Sequence, residues 1–389
     1  MRKQRRGVSP GLMGVGYRMP AEWEPHAATW LAWPHNRTDW PGKFEPIPWV
    51  YAEIVRHLAR VERVELIVAD EAEEERARKV LSRAGALVDA TDEKRLRDIG
   101  IRFHRWPTNR VWTRDFAAIF VTGDADRSSR LEASTVPSQY ERSLTALNWR
   151  FNAWAKYPDW QLDNQIPGKI ARRLRILEIK PTAANNPKHW VVLEGGSIDV
   201  NGAGCLLTTE ECLLSEVQQR NPCLSREQLE QVFRDYLGIS KVLWLERGIV
   251  GDDTHGHIDD ISRFVARDTI VTAVEPDPSD PNHSLLAENL KRLRTMSDQQ
   301  GKPFRVVELP MPAPVIFRGQ RLPASYANFY IANQTVLVPV FNDPKDRLAL
   351  NTLAELFPDR RVIGIYCGDL VWGLGTIHCM TQQQPAVNK

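Results

Sequence analysis

The chain has 389 residues, of which 51 are Lys or Arg and 49 are Asp or Glu, a formal charge of +2 with His neutral. So even a balance supplies no general basic field for nucleic acid or an anionic membrane surface, which confines function to local sites. With 42% hydrophobic residues and no run near the roughly 18 apolar residues of a spanning helix, the sequence reads as a soluble globular protein.

The first residues, Met1 to Arg6, are basic, but no apolar segment follows to complete a signal peptide. Residues 1–17 are therefore expected to be a disordered N-terminal segment. Five cysteines (Cys205, Cys212, Cys223, Cys367, Cys379) are too few and too irregular for a disulfide framework or a zinc ribbon. An odd count leaves at least one thiol free, and a reducing, cytoplasmic setting is expected.

In chain order, apolar spacing predicts helices over 48–61, where Ile54, Val55, Leu58 and Val61 share a side, and over 71–84, a strongly charged stretch with one solvated face. A Ser-x-x-Gln capping box opens a third helix at Ser225, which Gly238 ends, and two more cover 284–296 and 346–356. Strand-type runs fall at 64–68, 101–106, 117–121, 191–193, 205–208, 241–245, 269–274, 304–309, 335–340 and 361–365. Helices alternate with strands along the whole chain, the α/β pattern, and several helices lead into a strand as in small repeated units. No sequence similarity at a fixed period accompanies that ordering. Thirteen Trp suit core packing and subunit contact, which leaves a homo-oligomer open.

The densest polar cluster is Gly251 to Asp260, with two His and four Asp. If its second half is extended, His255, His257 and Asp259 share one face. It serves as a polar turn, as a divalent-metal site, or as a metal-free acid/base dyad of His257 and Asp259. Asp115 closes Trp112-Thr113-Arg114-Asp115, and Glu194 precedes paired glycines in Glu194-Gly195-Gly196-Ser197, both typical of a site at a strand end. Cys379 follows Gly373-Leu374-Gly375-Thr376-Ile377-His378, a turn that favours an exposed thiolate of lowered pKa, against the alternative of a small buried apolar residue. A thiol, an imidazole and an excess of carboxylates suit a planar, permanently cationic guanidinium, whose charge would help hold the thiolate. Trp112, beside these residues, could stack on such a group.

On these residues the sequence resembles the agmatine deiminase family of guanidine-modifying enzymes, related to the peptidylarginine deiminases. The resemblance runs from about residue 18 to 385. It is carried by Arg18 to His26, Trp112 to Asp115, Phe151 to Trp154, Glu194 to Ser197, Gly251 to Asp260, Arg321 to Tyr326, and Ile377-His378-Cys379 with Thr381 to Gln383. It implies a single domain over 18–385, folded as a five-bladed pseudosymmetric α/β propeller of the pentein type, with no metal and no cofactor. It also implies hydrolysis of agmatine to N-carbamoylputrescine and ammonia. Cys379 would be the nucleophile, Asp115 and Asp259 would hold the guanidinium, His257 would carry protons, and Glu194 would orient it. Trp112 and Asp253 would stand at the far end of the substrate. The family turn after Asp115 is here Phe116-Ala117-Ala118, and its Gly-Gly-Gly is Gly373-Leu374-Gly375, so a peptidyl-arginine or another guanidino substrate is the alternative. A metal hydrolase built on His255 and His257, or a non-catalytic guanidine binder, stands further off.

Overall fold

Local chemistry sets the element ends. Asp70 caps the helix Glu71–Arg83 by accepting the Glu73 amide. The expected capping box is formed by Ser225 and Gln228 at the helix Arg226–Leu237, which stops where Gly238 takes φ +71°. The other helices, Ile47–Leu58, Asn282–Thr295 and Lys345–Leu356, begin within two residues of the expected starts. The strand expected at 191–193 is instead a single bridge from Val192 to Arg150. That at 117–121 begins later, as Ile119–Thr122, because Thr113–Phe116 forms one helical turn first. These elements belong to a computed structural model that describes residues 16–87, 99–123 and 141–387. Residues 1–15 of the expected disordered segment lie outside the described residues, whereas Tyr17 is buried.

Five sheets share one plan, an antiparallel pair followed by a helix that crosses to a third strand parallel to the second. The first holds β1 (His26–Ala32), β2 (Arg63–Val68) and β3 (Gly100–Arg105). Its antiparallel partner comes from the far end of the chain, Gln382–Pro385. The second holds β4 (Ile119–Thr122), β5 (Glu141–Leu147) and β6 (Ile176–Ile179). A hairpin of β7 (Thr182–Ala183) and β8 (Asn186–Trp190) leads to the third, β9 (Asp199–Val200), β10 (Cys205–Thr209) and β11 (Lys241–Leu245). The fourth comprises β12 (Ser262–Ala266), β13 (Thr269–Val274) and β14 (Arg305–Pro310). After a hairpin of β15 (Ile316–Phe317) and β16 (Gln320–Arg321), the fifth comprises β17 (Tyr330–Ile331), β18 (Thr335–Val340) and β19 (Arg361–Tyr366). The last strand, β20 (Gln382–Pro385), then returns to β1. The inner strands β2, β10, β13 and β18 are buried along almost their whole length, as strands covered on both faces must be.

This plan positions the site. Just ahead of each antiparallel pair the chain turns inward with a polar residue: Asp115 before β4, Glu194 before β9, Asp259 before β12, Asn328 before β17 and Cys379 before β20. Among the described residues no helix is long and apolar enough to cross a membrane.

Candidate active site

The five turns bring their polar residues together. Cys379 is only 7% exposed, and its Sγ lies 3.1 Å from Nδ2 of Asn328 and 3.7 Å from Oδ2 of Asp259. Asn328 is itself fixed, donating to Asp260 and accepting from Thr376 Oγ1 (2.7 Å) and the His378 amide (3.0 Å). Asp115 accepts the Gly196 amide at 3.0 Å on Oδ1 and Trp154 Nε1 at 2.9 Å on Oδ2. Holding Trp154 in that pose requires left-handed backbone at Ala153, Trp154 and Ala155, with φ of +50°, +58° and +53°. Non-glycine residues adopt that conformation only at a cost, and such strain gathers where a side chain must be aimed.

His257 stands between three carboxylates: Nδ1 is 3.8 Å from Asp115 and 3.9 Å from Asp259, and Nε2 is 4.0 Å from Glu194. Arg220 engages the other oxygen of Glu194 at 3.2 Å. Among the described residues, neither ring nitrogen of His257, nor Asp259 Oδ1, nor Glu194 Oε2 makes a hydrogen bond of good geometry. Buried charged atoms are costly in that state, and a planar multidonor cation bound among the carboxylates would satisfy the two carboxylate oxygens.

Burial pushes Asp115 up to about 6, with Asp259 and Glu194 adding to the rise against the pull of His257. Burial also disfavours the His257 imidazolium, but Asp115, Cys212 and Asp259 outweigh it and hold the ring well above its ordinary pKa. Asp259 goes the other way: burial raises it, yet His378 and His257 bring it below the usual carboxylate range. The Cys379 thiol is pushed well up by burial and by Asp259, Asp260 and Asp115. Of the two readings that the glycine-rich turn left open, the structure has the buried one: Cys379 is buried, and three carboxylates face it.

The imidazole that touches Asp259 is His378, which the sequence left without a role. Its Nδ1 is 2.7 Å from Asp259 Oδ2 and its Nε2 is 2.8 Å from Glu22 Oε2. Glu22 also receives Arg114 at 3.0 Å and Arg263 at 2.9 Å. A sequence clue to Asn328 lay in its place ahead of a strand, the place that Asp115, Glu194 and Asp259 hold in their own units.

The anticipated face of His255, His257 and Asp259 does not form. His255 has φ +64° and turns away to Ser215 Oγ (3.1 Å), while Ile258–Asp260 is a helical turn. Among the described residues two sets of ligand-type atoms lie close enough for a metal, Glu194 with Cys212 and His257, and Asp259 with Asp260 and Cys379; neither uses His255. Phe116 is buried against Phe151, ring centroids 6.0 Å apart, rather than reshaping the cavity, whereas Leu374, with φ +67°, lines it.

Above Cys379 and Asp115 opens a cavity of about 380 Å3 with walls from Trp112, Trp154 and Tyr157 and with Asp253 at its edge. Asp253 is engaged on both oxygens, by Lys156 and by the Tyr157 hydroxyl (2.6 Å).

A buried thiol, two imidazoles and converging carboxylates at the foot of an aromatic-walled cavity are the equipment of a hydrolase acting on guanidino C–N bonds. The chain belongs to the Porphyromonas-type peptidyl-arginine deiminase family, whose model matches residues 18–385. It is 35% identical to the agmatine deiminase of Medicago truncatula, covering 96% of this chain and 97% of that one. Against the agmatine deiminase of Pseudomonas syringae pv. syringae it is 34% identical over the same shares. In structure it resembles the agmatine deiminase of Enterococcus faecalis, with a TM-score of 0.81 and 29% identity, covering 98% of this chain and 99% of the other. A Cys-to-Ser variant of the C. jejuni agmatine deiminase with substrate bound gives a TM-score of 0.75 at 28% identity, over 95% and 96% of the two chains.

Proposed function

We propose that this chain hydrolyses agmatine and water to N-carbamoylputrescine and ammonia by way of a thiouronium on Cys379. The reading takes residues 18–385 as one domain and the five sheets as blades of a pseudosymmetric propeller around the site. The observation that carries it is the convergence of Cys379, Asp115, Asp259, His257 and Glu194 on one buried point, with unpaired acceptor atoms facing it.

A guanidinium between Asp115 and Asp259 replaces the electrostatic burden that keeps Cys379 protonated, so the thiol gives its proton to solvent as the cation binds and the substrate's own charge holds the thiolate. Sγ then adds to the guanidinium carbon, and the imidazolium of His257 protonates the departing NH2, which leaves as ammonia. His257, now neutral, takes a proton from water as the hydroxyl adds to the thiouronium. The C–S bond breaks, Cys379 leaves as thiolate and regains a proton from solvent as the product departs, and the remaining hydroxyl proton passes to solvent, where the ammonia already released takes it up as ammonium. Asn328, 3.1 Å from Sγ, donates a hydrogen bond that steadies the thiolate on both occasions. Glu194 faces the ring from the side opposite Asp115 and orients it. Trp112 and Trp154 flank the alkyl chain, with Asp253 near its far end.

The test is ammonia release over agmatine, free arginine and an arginine peptide, before and after dialysis against a chelator. Agmatine should lead and dialysis should change nothing. Citrulline formation on the peptide at the greater rate would shift the substrate, and loss of activity on dialysis would point to a metal hydrolase.

A further inference from the structure

Resting on that reading of the site, we propose that Asp39 is the residue that receives the cation at the far end of the substrate and so sets tail specificity. The side chain of Asp39 is 1% exposed, yet it lines the same cavity as Cys379 and Asp115. Its Oδ1 accepts Arg110 Nη1 at 2.6 Å and Asn36 Nδ2 at 3.4 Å, while Oδ2 has no hydrogen-bond partner among the described residues. A buried carboxylate oxygen without a donor is expensive to keep, and a substrate ammonium brought to Asp39 from the cavity would complete it.

Charge balance separates Asp39 from Asp253. Asp253, with 19% of its side chain exposed, already has one oxygen on Lys156 and the other on Tyr157, so an arriving ammonium must displace a resident cation. Arg110, whose guanidinium lies 4.4 Å from the Tyr157 ring centroid, is shared between Asp39 and Asp159, the latter at 2.9 Å. Two carboxylates against one guanidinium leave one negative charge uncompensated, and among the described residues Oδ2 of Asp39 is the buried acceptor of that group without a partner, as Nε of Arg110 is the buried donor without one. Burial raises Asp39 to about 6 against the pull of Arg110, so it is mostly ionised at pH 7.5 and is further ionised by a bound cation. Asp39 and Trp112 line the same cavity as Cys379, so a guanidine with its alkyl chain along Trp112 has Asp39 on the wall of the space that holds it.

The experiment compares agmatine with butylguanidine, which keeps the guanidine and the alkyl chain but lacks the ammonium. In Asp39→Asn the ratio of kcat/KM for agmatine to that for butylguanidine should fall by about tenfold or more, mostly through KM for agmatine, with partial recovery in Asp39→Glu. Turnover of butylguanidine reports in the same protein that the fold and the reacting groups survive. An unchanged ratio, or an equal loss on both substrates, overturns the proposal, as does a ratio lost in Asp253→Asn and kept in Asp39→Asn. Calorimetric titration of Cys379→Ser, with and without Asp39→Asn, reads the same discrimination without turnover. Failure of the deiminase reading would appear as absent ammonia release from the unaltered chain, a result separate from loss of tail discrimination in binding.

Discussion

Replacing Gly196 by alanine adds one methyl group at the point where the proposed catalytic groups meet. A Cβ there would lie 2.5 Å from His257 Nδ1, 2.9 Å from Asp115 Oδ1 and 3.1 Å from Asp259 Oδ2. The first distance is about 0.9 Å short of the 3.4 Å at which ordinary contact begins. The Gly196 backbone does not adopt positive φ, so alanine is acceptable to the backbone and the conflict is confined to those side chains. Its amide still reaches Asp115. The imidazole cannot retreat freely, because Glu194 stands on its other side and Arg220 pins Glu194. A shift of about 1 Å in a reacting group costs on the order of 100-fold in rate, and overpacking a tight interior costs about 1–3 kcal/mol in stability. Gly196→Ala should therefore melt within several degrees of the parent while kcat for ammonia release from agmatine drops about 100-fold. A kcat within about threefold of the parent would refute the reasoning, since it would mean that these three groups need not hold their mutual positions.

Trp154→Phe removes the 2.9 Å hydrogen bond to Asp115 and keeps the aromatic wall. That bond lowers the Asp115 pKa, so its loss should move the acid limb of the kcat/KM profile to higher pH and reduce kcat/KM by about tenfold; an unmoved limb counts against Asp115 holding the guanidinium. Glu22→Gln leaves Arg114, Arg263 and His378 without their shared counter-charge, and breaking a buried ion network of this kind costs about 3–5 kcal/mol, seen as a lowered urea midpoint. Burial opposes the Glu22 carboxylate, but Arg263, His378 and Arg114 hold its pKa well below the ordinary value. The stabilisation is therefore present above the unfolded pKa near 4.5 and is lost as pH falls toward the depressed folded value. The parent should lose stability through that acid window more steeply than Glu22→Gln, and parallel curves would contradict it.

The alternation of helices and strands was legible because apolar periodicity and end signals are local: the Ser225 capping box and Gly238 mark both ends of one helix unaided. The pairing of β20 with β1, across the length of the chain, carries no local mark and rests on tertiary packing. Cys379, His257, Asp115, Asp259 and Glu194 stood out because ionisable groups beside glycines are unusual company. His378 and Asn328 did not, since an imidazole within an apolar turn and an amide ahead of a short strand look ordinary until Asp259 and Sγ are seen within 2.7 Å and 3.1 Å of them. The state of Cys379 stayed open for a related reason: a glycine-rich turn argues for exposure, while the three carboxylates that raise its pKa come from other units. His255 shows the limit of period-two reasoning, for the positive φ there and the helical turn after it break the alternation. Asp39 gave no signal at all, because its standing depends on Arg110 and Asp159 sharing one charge.

The central claim is that Cys379 forms a covalent bond to the guanidinium carbon. Intact-protein mass spectrometry after rapid acid quench with agmatine, on the parent and on Cys379→Ser, tests it, with ammonia release measured alongside. The account predicts a parent adduct that maps to the peptide bearing Cys379, and a folded Cys379→Ser protein with neither adduct nor ammonia. Undiminished ammonia release from Cys379→Ser would contradict it.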